Sequence, residues 1–250
     1  MHEIKLDNHR FKIPSGFREL DTKQIKTYIT LFLQHSDDPI EMKSLFLVSL
    51  AGRKAFLLKR LNEIQLAQLL VLLDWMSADK LPEHPFFREF KHKGKQFYAP
   101  LESFRGFSGL EFAFANAYMN AMKEDADQLN SLCAVIYREG KKKNKWVNKR
   151  IKLDEKGIEE RTKLFADLDY RIKASALLYM YANIDRLKNK YKPIFSGGEG
   201  NNQLGWAGTF IAIAETGIVG TLDKVKATPI SEICMILTKK HLEVESLKDA

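Results

Sequence analysis

The stretch whose residue types could do the most chemistry runs from Arg138 to Lys152. It sets Arg138, Lys141, Lys142, Lys143, Lys145, Lys149, Arg150 and Lys152 against Glu139 alone, and it accounts for nearly all of the chain's net charge of +8. Clustered lysines and arginines neutralise phosphates and release counterions, and Trp146 offers a ring on which a base can stack. The same charges suit an acidic protein surface. A third reading is a solvated connection, because Asp154, Glu155, Glu159 and Glu160 follow closely and can neutralise it within the chain. The residues expected to contact a partner or nucleic acid are Lys141, Lys142, Lys143, Lys145, Trp146, Lys149, Arg150 and Lys152. Trp206, flanked by glycine, is the other expected anchor, since tryptophan is enriched among residues that carry binding energy.

Other constellations point to no reaction. The glycine-rich run from Phe195 to Trp206 precedes a helical stretch, yet it lacks GK[ST], and Gly198-Glu199-Gly200 does not leave a strand with a third glycine in register. Glu199 there would repel a phosphate. The six histidines show no HExxH or HxH pairing, and no serine sits in a GxSxG elbow. Cys133 and Cys234 are spaced neither for zinc nor for a redox pair, and read as buried free thiols in a reducing compartment. No catalytic residue, cofactor or metal is expected.

Helices must position whatever the basic stretch does. Three starts carry a polar cap, a Glu or Gln three residues on, and a bracketing apolar pair: Asp21 with Gln24, Asn62 with Gln65, and Ser108 with Glu111. These and the apolar periodicity predict helices near 21–36, 39–52, 62–77, 109–124, 126–139, 155–166, 170–187, 205–215 and from Pro229 to about Glu243. Hairpins are predicted around Asp7-Asn8-His9 and Lys93-Gly94-Lys95. The expected class is therefore mainly α, a globular bundle of about nine helices with one or two short β-hairpins. The dense aromatics from Phe86 to Tyr118 read chiefly as core, with a share left for a partner surface.

Two stretches break this pattern, Ser77 to Pro100 and Glu139 to Leu153. Taking the second as the boundary gives residues 1–140 as a hairpin plus helical subdomain, 141–153 as a basic connection, and 154–250 as a second helical subdomain. No apolar run reaches the roughly 20 residues of a membrane span, and the charged first residues lack a secretory core, so a cytoplasmic protein is expected.

Several segments, taken together, resemble uncharacterised helical proteins from bacteriophage and prophage tail-assembly regions. They are IPSGFRELDTKQIKTYITLF, LCAVIYRE before the basic stretch, EERTKLFADLDYRIKASALLYMYANI, and GWAGTFIAIAETGIVGTLDKV. The resemblance implies an accessory or chaperone-like role in building a phage particle, in the host cytoplasm or the virion. It also implies other virion proteins as partners and carries over no catalytic residue. Nucleic-acid binding through 141–152 is the alternative.

Overall fold

Asp21, Asn62 and Ser108 each cap a helix as their spacing predicts. In all three the cap side chain accepts the backbone N–H three residues on, and the Gln24, Gln65 or Glu111 side chain accepts the cap's own N–H. The computed structural model describes residues 1–77, 80–140, 150–195 and 205–248. Among them are eleven α-helices and five short strands, so the class is mainly α. No helix of the described residues is long and apolar enough to cross a membrane. The chain divides into two units, Met1–Pro82 and Glu83–Ala250. The division thus falls in the first of the two candidate breaks and not at 141–153, whose flanks are tied into the second unit.

In the first unit, β1 (His2–Leu6) and β2 (His9–Ile13) pair antiparallel, with His2 opposite Ile13. Helices α1 (Thr22–His35) and α2 (Pro39–Ala51) pack together. Asp38 caps α2 by accepting from the Ile40 and Glu41 amides, and Pro39 opens it, where a missing N–H costs nothing. A 3-10 stretch, Gly52–Arg60, then leads to α3 (Glu63–Val71). The helix predicted to Ser77 stops at Val71 and a further 3-10 turn, Asp74–Met76, completes it. That turn brings Trp75 against Phe17, ring centroids 4.8 Å apart and edge to face, beside buried Tyr28 and Phe46. The Trp75 indole donates to the Pro14 carbonyl at 2.9 Å, so its polar edge is satisfied.

The second unit opens with β3 (Glu89–His92) and β4 (Lys95–Tyr98), joined through Lys93 and Gly94 at φ 45° and 78°. Two successive left-handed residues make the tight turn whose twist matches the paired strands. A third strand, β5 (Arg138–Glu139), joins β4 with Phe97 opposite Glu139 and Tyr98 opposite Arg138; two residues carry too little pattern to be read from sequence. The helices are α4 (Gly109–Ala121), α5 (Gln128–Ile136), α6 (Glu155–Leu164), α7 (Tyr170–Lys190), α8 (Lys192–Phe195), α9 (Gly205–Glu215), α10 (Leu222–Ala227) and α11 (Ile230–Lys248). Short α8 and α10 were not foreseen. Helix α5 is buried from Ser131 to Ile136 and packs on α4, α6 and α7, so it forms the axis of this core. Most of the aromatic series is core: Phe86, Phe87, Phe97, Tyr98, Phe104, Phe107 and Phe112 are buried.

Candidate functional site

The flanks of the basic stretch are fastened by a buried ion cluster. Glu111 sits at the third position of α4, where one carboxylate oxygen accepts the Ser108 amide at 2.7 Å and completes the capping box. Its other oxygen receives two guanidinium groups, that of Arg138 and that of Arg150, the latter at 3.0 Å. All three side chains are at most 5% exposed. Burial pulls the pKa of both arginines down from the usual range, and at Arg138 the like charges of Arg150 and Arg161 add to that. Glu111 is the buried counter-charge that makes this tolerable, since unpaired charges in an apolar interior are strongly disfavoured.

Arg150, together with Arg161 of α6, also closes the end of α5, whose last carbonyls have no partner within the helix. Arg150 Nη1 donates to the Ile136 carbonyl at 3.1 Å and Arg161 Nε to that of Ala134 at 2.9 Å. Positive charge at a helix C-terminus also opposes its dipole. The guanidinium of Arg150 lies over the Phe107 ring, 5.5 Å from its centroid. Outside the cluster, Gly140 bridges Arg150 antiparallel and the Ile151 amide donates to Glu139 at 2.8 Å. The chain therefore leaves at Gly140 and returns at Arg150 side by side.

Arg150, expected to touch a partner, is instead buried and holds the fold together. Its type and position in a lysine-rich run look like surface charge; only pairing across the chain with Glu111 shows otherwise. Lys152 is exposed, as a contact residue must be. Trp206 is half-buried, edge-on to Phe112 at 4.8 Å and beside Phe210 at 6.1 Å, so much of its ring serves packing. Lys141, Lys142, Lys143, Lys145, Trp146 and Lys149 lie outside the described residues, as does the glycine-rich run from 196 to 204.

No protein-family model matches the chain, and no curated protein or solved structure matches it. What the site does follows from its own residues.

Beside the paired flanks lies a cleft of about 450 Å³ between β4–β5 and α6, lined among others by Lys95, Glu139, Ile151, Asp154 and Arg161. Sequence reasoning missed it, because its members come from three separated segments and Arg161 reads as one more charge on an amphipathic helix. Lys95 Nζ meets Glu139 at 2.7 Å, and Asp154 caps α6 by accepting the Gly157 amide at 2.6 Å. Elsewhere, Cys133 and Cys234 are free and fully buried; burial raises both thiol pKa values, that of Cys234 to about 12. Thiols held protonated in the interior are poor nucleophiles and poor ligands. Among the described residues no three His, Cys, Asp or Glu side chains gather as a metal site would require.

Proposed function

We propose that this chain is a non-enzymatic interaction protein, an accessory or chaperone-like component of phage or prophage tail assembly, that grips an acidic surface on another virion protein. The observation that carries this reading is a concentration of charge on a fastened base. Five lysines and Trp146 lie between Gly140 and Arg150 in the sequence, those two residues pair with each other, and Arg150 belongs to the buried Glu111–Arg138–Arg150 cluster. Ends held in this way lower the entropy lost when the intervening residues engage a partner. The segments resembling tail-assembly proteins support the biological setting, in the host cytoplasm or the virion. No catalytic residue, cofactor or metal enters the proposal.

Nucleic-acid binding is the second reading, favoured by Trp146 among the lysines. The two separate in one experiment. Tagged wild type and a Lys141→Ala, Lys142→Ala, Lys143→Ala variant are captured from prophage-induced cells, with and without nuclease. Nuclease-resistant virion proteins on the wild type, depleted on the variant, support the first reading. Nuclease-sensitive capture supports the second, and then the slope of log affinity against log salt should flatten by about 2–3 in the variant, close to one for each phosphate contact removed. Equal capture by both proteins rejects both readings.

A further inference from the structure

The 3-10 stretch Gly52–Arg60 of the first unit is nine residues long, past the three or four at which such helices usually stop. Three residues complete each turn, so Arg53, Phe56 and Lys59 fall in one row, about 6 Å from turn to turn. α-Helical winding would fan the same three over about 120°. All three are exposed, Phe56 by 53%, whereas Leu57 and Leu58 on the other two rows are buried. A lone exposed ring is ordinary on a protein surface. Here the ring stands between two cations, and neither Arg53 nor Lys59 makes an ion pair among the described residues.

The β1–β2 hairpin fixes this row from the side. His9 packs edge to face with Phe56, ring centroids 6.1 Å apart, Lys54 Nζ donates to the Arg10 carbonyl at 2.5 Å, and Arg60 pairs with Asp7 at 3.0 Å. Charge is sorted to match. Residues 2–13 and 52–60 carry seven Lys and Arg against Glu3 and Asp7, and those two carboxylates are already matched to Arg10 and Arg60. The rest of the first unit holds more acidic than basic residues. We propose that the row is a binding strip for single-stranded nucleic acid, with Arg53 and Lys59 each taking a backbone phosphate and one base stacking on Phe56. Cation, ring and cation in line suit a strand, which offers phosphates and flat faces together. A single ring between charges gives too little apolar area for a lipid surface, and an acidic peptide offers Phe56 no flat partner. The strip lies in the first unit and uses none of the lysines of 141–149, so it goes beyond both readings above.

Fluorescence anisotropy of a short labelled thymidine oligonucleotide, titrated with the full chain at several salt concentrations, tests this. Phe56→Ala should weaken binding by roughly fivefold or more and leave the salt slope unchanged, because stacking releases no counterion. Phe56→Tyr keeps the ring and should keep the affinity. The double variant Arg53→Ala, Lys59→Ala should flatten the slope of log affinity against log salt by about 1.4, the share of two phosphate contacts on a single strand. All three positions are exposed, so far-UV circular dichroism and urea midpoints should match those of wild type. A wild type that does not bind the oligonucleotide at low salt overturns the proposal, as does a Phe56→Ala variant that binds it equally well. Capture of phosphatidylserine vesicles in preference to the oligonucleotide overturns the assignment to nucleic acid. Loss in the triple lysine variant alone removes the strip and leaves nucleic acid to the second unit. Loss in Phe56→Ala with the triple lysine variant unimpaired supports the strip, whatever those lysines bind.

Discussion

Glu111 answers two demands with one carboxylate, closing a capping box with one oxygen and neutralising Arg138 and Arg150 with the other. Glu111→Ala should therefore cost more than a cap alone, about 3–5 kcal/mol, because it strands buried arginines. Urea unfolding measures this, and a loss near that of an ordinary helix cap would show that the ion pairs contribute little. The exposed pairs behave differently. Lys43, hydrogen-bonded at 2.6 Å, pulls the Asp74 carboxyl below the usual range. A carboxyl depressed in the folded state lends stability above its unfolded pKa, near 4, and loses it as pH falls through the lower folded value. Urea midpoints of wild type and Lys43→Ala should thus differ at pH 6 and converge towards pH 3. The cysteines give a third expectation: native protein at pH 8 should resist iodoacetamide at Cys133 and Cys234, and both should label once urea opens the core.

At the scale of elements, local chemistry was readable wherever it is written in neighbouring residues. All three capping boxes form, and helices near 21–36, 39–52, 109–124 and 155–166 appear within a few residues of those bounds, because cap, staple and apolar stripe agree there. Ser108→Ala should cost about 1 kcal/mol, as caps do. Combined with Glu111→Ala the two losses should fall short of additive, since each breaks the same box; strict additivity would mean the box is not shared. What stayed illegible depends on partners distant in sequence. Strand β5 exists only because β4 lies beside it, and α3 ends early at Val71 so that Trp75 can turn toward Phe17. The burial of Arg150 follows the same rule: its lysine neighbours announce a surface, and a glutamate 39 positions back in the chain decides otherwise.

For the whole molecule, the boundary at Pro82 separates two cores, one around Tyr28, Phe46 and Trp75 and one around α5. A fragment spanning residues 83–250 should accordingly unfold in one cooperative urea transition and keep the far-UV signature of its helices; a non-cooperative loss of signal would show that it needs residues 1–82. The division was within reach of sequence, in the polar, proline-bearing region after Met76. The lysine run drew the boundary elsewhere because a burst of charge resembles a linker, whereas the contacts that stitch its ends together leave no mark on composition. Those contacts carry an evolutionary corollary. Since Glu111, Arg138, Arg150, Glu139 and Ile151 do the fastening, natural variants that rewrite or lengthen residues 141–149 need not disturb the helices beneath, and doubling such a connection costs only about 0.6 kcal/mol. The composition of that segment can then drift quickly while the scaffold that holds its ends stays as it was.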